Sequence, residues 1–220
     1  MAEYASIQGK NNAHIRKGLQ GSVFIAESTA AVITAATLFS PTGGILLPTG
    51  YKDLGWTTDD GASFSRSIGT SDITSWGSTA PTRSDVTSDV TTVGVTAQET
   101  KLLTIGLYTG AATTGMVPST ATGGSVTVQQ PAIANPRSYR MLVLAVDTNN
   151  AGEFYIARFL PQVKVTDFGD QSFNGGDAGI VYPLTFTAYP DATAGYSQAY
   201  FYGGPGFSSL STSMGFPTAV

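Results

Sequence analysis

Any chemistry here would have to start from one histidine, no cysteine and a scatter of aspartates. His14 is the only imidazole and lies in a polar stretch, so no second His can share a metal with it, and no HExxH pattern occurs. A Ser-His-Asp relay would have to use His14, and no GxSxG elbow precedes a helix. Asp59-Asp60-Gly61 falls short of the DxDxDG spacing of a calcium loop and reads as a turn between strands. Asp167, Asp170 and Asp177 share a loop with Gly169, Gly175 and Gly176, where they could hold calcium or stay solvated. Glycoside hydrolysis needs two carboxyls facing across a cleft, and nothing else in the chain points to a sugar site. Phosphate loops are absent. Arg137, Tyr139 and Arg140 make only a weak nucleic-acid patch, and Arg158, alternating with Phe154 and Ile156, reads as an arginine whose stem lies along a sheet. The expectation is no catalytic residue, no cofactor and no metal ligand.

Composition points the same way. At 220 residues the chain can bury a core without crosslinks. Only 12% of it is charged, about half the usual share, with Gly, Ser and Thr in the place of charge. A surface so poor in charge suits a protein covered by neighbours, and also suits β-rich extracellular domains. The net charge of −4 argues against general phosphate binding. Seven acids lie between Asp53 and Glu99 (Asp53, Asp59, Asp60, Asp72, Asp85, Asp89, Glu99) against Arg66 and Arg83. Met1 to Leu19 lacks the apolar run of a signal peptide, and the window Val23 to Phe39 carries Glu27 and is too short to span a membrane.

The elements follow from periodicity. Residues 1–21 read as a polar N-terminal arm, 22–189 as a β domain, and 190–220 as a Gly- and aromatic-rich extension able to pack on its own domain or on another subunit. Strands are expected at Ser22–Glu27, Ala62–Ile68, Asp72–Gly77, Arg83–Ala97, Ser125–Gln129, Tyr139–Val146, Glu153–Leu160, Gln162–Phe168 and Gly179–Tyr189. Gly69-Thr70-Ser71 reads as a turn, and the phase change between Val86/Val90 and Val93/Val95 predicts a bulge near Thr91. Tyr139–Val146 is almost wholly apolar, hence central and covered on both faces. Pro183 predicts an edge or a bulge. One helix is expected near 98–109, opened by a capping box on Thr96 and Glu99, closed by Gly110, and burying Leu102, Leu103 and Ile105. In the loop Ser40–Tyr51, Ile45, Leu46 and Leu47 are bracketed by Gly and Pro. They either plug the chain's own core or pack on a partner.

One run carries a resemblance. Gly55-Trp56, then Asp59-Asp60-Gly61, a strand, Trp76-Gly77, the long Val/Thr strand Arg83–Ala97, and the helix with Glu99, Leu102 and Leu107-Tyr108 together resemble the major tail proteins, or tail tube proteins, of long-tailed bacteriophages. The resemblance covers Leu47–Gly110 in its residues and Tyr139–Tyr189 as strand order. It implies a mainly β fold, a β-sandwich or partly open barrel of two packed sheets with one flanking helix and terminal arms. It implies a structural subunit of the virion tail, made in the bacterial cytoplasm. Subunits would form stacked hexameric rings, meet other tail proteins at the tube ends, and let DNA slide through the lumen without specific binding. No membrane is involved. On this reading Ile45, Leu46, Leu47 and Tyr51 are subunit-interface residues, and Asp59, Asp60, Asp72, Asp85 and Asp89 are lumen-facing candidates, with Asp85 and Asp89 on one strand face. The alternative is a β-sandwich capsid decoration or a carbohydrate-binding module.

Overall fold

Val, Thr and aromatic residues suit a pleated, half-buried surface, and strand dominates the computed structural model, which describes residues 4–133, 137–173 and 179–217. The strands are β1 (Gln20–Glu27), β2 (Lys52–Asp53), β3 (Thr57–Ile73), β4 (Arg83–Ala97), β5 (Tyr139–Asn149), β6 (Gly152–Phe168), β7 (Tyr182–Ala188) and β8 (Ala199–Gly203). All pairings are antiparallel, in the order β2-β1-β5-β6-β7-β4-β3, with β8 also on β6. The mainly β class expected from the sequence stands. Its hydrogen bonding forms one eight-stranded sheet rather than two, because the long β6 bonds β8 through Tyr155–Phe159 and β7 through Val163–Phe168. The sheet folds over as a sandwich does: Val23, Ile25 and Met141 from β1 and β5 share a core with Val93, Val95, Leu184 and Phe186 from β4 and β7.

β5 is covered on both faces, as its unbroken apolar run requires. Met141 enters the inner core. Leu142 enters a second, outer core with Ala26, Phe159, Ile33, Leu38 and Tyr51, roofed by the one-turn helix α2 (Ala35–Leu38). The other one-turn helices are α1 (Tyr4–Ile7) and α4 (Pro205–Ser208).

Several local expectations change. The main helix, α3, runs Leu102–Thr109 and ends at Gly110, which takes φ 68° as expected of a C-terminal glycine. Its capping box does not form. Thr96 stays in β4, and the Glu99 carboxylate instead accepts from the Trp56 N–H at 2.7 Å and pairs with Lys101 at 2.7 Å. Starting later turns the helix, so Leu107 is buried while Leu102 is 41% exposed, and Leu103 and Ile105 are half-buried. Gly69-Thr70-Ser71 is no turn but lies within the 17-residue β3, near its end. The bulge falls at Thr87, since Gly69 pairs with Ser88 and Thr70 with Val86. Ser125 makes only an isolated bridge to Ser119, so Ser125–Gln129 is not a strand. β6 merges two expected strands. Pro183 lies in the interior strand β7, near the end of its β6 pairing, where its carbonyl accepts from the Gly169 N–H.

The C-terminal aromatics pack on their own subunit. Phe207 meets Phe154 edge-on at 5.5 Å and Phe216 at 5.2 Å, and stacks with Tyr202 at 6.1 Å. The N-terminal arm is tied down too. Arg16 pairs with Asp147 at 3.3 Å, the Lys17 N–H donates to the same carboxylate, and the Leu19 N–H donates to Val146.

Candidate assembly surface

β7 pairs with β4 only as far as Thr92. Beyond that point Arg66–Ile73 and Arg83–Thr91 pair with each other alone, so the hairpin leaves the body as a two-stranded arm. Eight residues at the antiparallel rise make it roughly 27 Å long. A lone hairpin is marginal in water, and this one exposes Ile68, Ile73, Val86 and, completely, Trp76 at its tip. Arg66 grips Asp89 with two hydrogen bonds of 2.8 and 2.6 Å, and Arg83 pairs with Asp85 at 2.8 Å. The hydrogen bonds from Arg66 hold the Asp89 carboxyl below its ordinary range.

Register assigns the faces. Phe64, Arg66, Ile68 and Asp72 stand opposite Val93, Thr91, Asp89 and Ser84, with Val86 opposite Thr70 on the same side. This face continues the inner face of the sandwich. Because Thr87 is an extra residue, Asp85 lies on the other face from Asp89, which corrects the expectation that they share one. Asp59 and Asp60 sit at the base of β3, in an irregular stretch where Thr57–Ala62 opposes only Ala97–Val95. All five aspartates proposed for the lumen are solvent-exposed.

In the apolar loop, Leu46 and Leu47 are 48% and 41% exposed, while Ile45 is half-buried and bridges Phe39. Tyr51 is different. It is buried in the outer core of its own subunit, its hydroxyl donates to the Ala31 carbonyl at 2.7 Å, and its ring meets Phe159 edge-on. Burial pushes its pKa up to about 12, against the opposing pull of Arg140. Tyr51 therefore offers no surface to a partner. Arg140 and Tyr139 are buried as well, so the weak nucleic-acid patch does not exist as a surface; Arg140 donates to the Ser28 carbonyl and lies 3.8 Å from Asp191.

A cleft of about 1070 Å³ opens between β1/β5 and the start of β3. Arg158 lies in its wall, with its guanidinium 4.1 Å from the Phe64 ring centroid and 4.6 Å from that of Tyr200. Sequence alternation finds the stem of Arg158 but not this clamp, because Phe64 and Tyr200 come from strands far away in the chain. His14 bonds Ser213 at 3.0 Å and Asn11 at 3.1 Å, and among the described residues no acid completes a relay. Among the described residues there is no group of three metal-ligating side chains; Gly175, Gly176 and Asp177 of the calcium expectation lie outside them. Among the described residues no helix is long and apolar enough to cross a membrane.

A folded-over sheet with an uncovered arm defines a class of β protein that leaves a surface open to a partner. The family comparison gives the particular kind: a model of the phage tail tube protein family matches residues 8–203, and the chain belongs to that family. It is a structural component of the phage tail tube, a virion protein. No curated protein matches the sequence. A solved structure described as that of an Hcp protein is similar to 82% of this chain and 98% of its own, at 10% identity and a TM-score of 0.32.

Proposed function

We propose that copies of this chain close into hexameric rings, that the rings stack into the tail tube, and that DNA passes along the lumen during ejection without specific binding. The observation that carries this reading is the arm, whose inner face prolongs the inner face of the sandwich past anything its own body can cover. Leaving Ile68 and Val86 in water on that face gives up about 1.5–3 kcal/mol per side chain that burial by a second copy would recover. Leu46 and Leu47 form a further subunit contact. Residues 22–189 act as the tube-forming body, with 1–21 and 190–220 as arm and extension. Those of the exposed acids Asp59, Asp60, Asp72, Asp85 and Asp89 that face the axis keep the channel unattractive to phosphate, since a wall of Lys and Arg would release counterions and hold the DNA. Because Asp85 and Asp89 lie on opposite faces of β4, only part of the set can face the axis. Other tail proteins cap the tube ends, assembly takes place in the host cytoplasm, and the chain has no catalytic role.

Negative-stain microscopy of the purified protein at rising concentration tests this. Sixfold rings and tubes are the expected result. A protein that stays monomeric and is retained on a glycan column would sink the proposal.

A further inference from the structure

We propose that Arg158 is a preformed carboxylate socket that receives Asp72 from the arm of a second copy; this rests on the tube reading above. The guanidinium lies over both the Phe64 and the Tyr200 rings, 4.1 and 4.6 Å from their centroids. Contact with two rings restrains the guanidinium, and its planar fork of N–H donors can grip an oxyanion with two parallel hydrogen bonds. The five N–H groups donate to no acceptor among the described residues, and Arg158 has no ion pair there. None of its nitrogens is sealed from solvent either, so the edge opens into the cleft. A clamped, half-desolvated cation without a counterion is a site awaiting an anion.

Charge selects the anion. Asp53, Asp59, Asp60 and Glu99 line the same cleft, against Lys101 and Arg158 itself. That lining repels a polyphosphate chain far more than a single carboxylate carried on a protein segment. The arm supplies one. Asp85 and Asp89 are held by Arg83 and Arg66, whereas Asp72 is exposed and bonds nothing among the described residues. Asp72 also lies on the arm face that carries Phe64. Within one subunit the two cannot meet. Arg158 sits beside Phe64 at the base of the arm, and Asp72 is eight residues further along β3, roughly 27 Å at strand rise. The pairing must therefore join two copies. A contact between the tip region of one arm and the base of the next propagates an assembly wherever it is made head-to-tail and not exchanged reciprocally between the same two copies.

Charge reversal decides the matter. Arg158→Glu and Asp72→Arg, each alone, should melt like the unmodified chain and lose polymer in sedimentation and negative-stain microscopy. The double variant should regain it. Asp72 is on the exposed arm, outside either core, so its variant remains informative even if Arg158→Glu disturbs packing. Single variants that polymerise normally, while the unmodified chain also does, would overturn the socket and leave the tube reading standing. A double variant as defective as the singles would overturn it too. Unmodified protein that never polymerises would remove both readings together. Retention of a double-stranded DNA fragment by the unmodified chain, lost in Arg158→Glu, would replace the carboxylate with phosphate.

Discussion

The Tyr51 hydroxyl donates to the Ala31 carbonyl and ties the end of the loop that carries Leu46 and Leu47 to the segment between β1 and α2. Burial raises the Tyr51 pKa from 10.0 to about 12. The folded state thus holds this proton more tightly than the unfolded chain. The stability linked to it is intact below pH 10 and is lost as pH rises through about 12. Tyr51→Phe keeps the ring but removes the hydrogen bond to the Ala31 carbonyl, and should cost about 0.5–1.5 kcal/mol at neutral pH. Alkaline melting curves check both parts: the variant should start lower and lose less between pH 10 and 12 than the unmodified chain.

Leu107 and Leu102 share helix α3 but differ in environment. Leu107 is 2% exposed and packs in the inner core, while Leu102 is 41% exposed. Leu107→Ala should destabilise by about 2–5 kcal/mol and Leu102→Ala by well under half of that. Denaturant midpoints of the two variants measure the difference, and equal losses would contradict the placement of α3.

That contrast shows how far the sequence carries. β4 keeps its sequence-read bounds, Arg83–Ala97, because a Val/Thr run is a strong local signal. The helix boundary shifts because Glu99 finds its hydrogen-bond donor on Trp56, a tertiary partner no local pattern can see. Gly69 suggests a turn, yet it stays in β3, where a Cβ would sit 2.5 Å from the Ser88 hydroxyl. Its smallness serves close cross-strand packing, and composition cannot tell that use from a turn. β8 shows no period of its own and is defined by its bonds to β6. The solitude of the arm was equally hidden: Val86 and Val90 look like core valines until the pairing shows that β7 stops short of them.

Leu46 and Leu47 test the loop contact. They contribute little to their own subunit, being half in solvent. Leu46→Ser with Leu47→Ser should leave the melting temperature within a few degrees of the unmodified protein and abolish polymer in sedimentation. Normal tubes from a normally melting variant would remove this loop from the interface.

Asp147 holds the N-terminal arm. Hydrogen bonds from the Thr148 and Lys17 N–H groups, followed by the charge of Arg16, keep its carboxyl below the ordinary range. The stability this confers is present above the unfolded pKa and is lost as pH falls through the lower folded value. Docking of the arm should thus persist at neutral pH and fail only in strong acid. Asp147→Asn should free the arm at neutral pH, read as faster tryptic cleavage after Arg16 and Lys17 with the body intact. Unchanged cleavage would show that the Leu19–Val146 backbone bond is sufficient to hold it.

Removing the arm separates folding from assembly. Ile68 and Asp89 are direct partners, so residues 69–88 can be replaced by Asn-Gly, a two-residue link suited to a tight hairpin. The deleted segment contributes no residue to either core, and its exposed Ile73, Trp76 and Val86 go with it. The shortened chain should therefore melt at or slightly above the temperature of the full one and be more soluble. It should also stay unpolymerised, because the uncovered extension of the inner face is gone. Thermal melting and sedimentation on the same sample give both answers. A shortened chain that unfolds would place the arm within the folding unit, and one that still builds tubes would show that the arm plays no part in joining subunits.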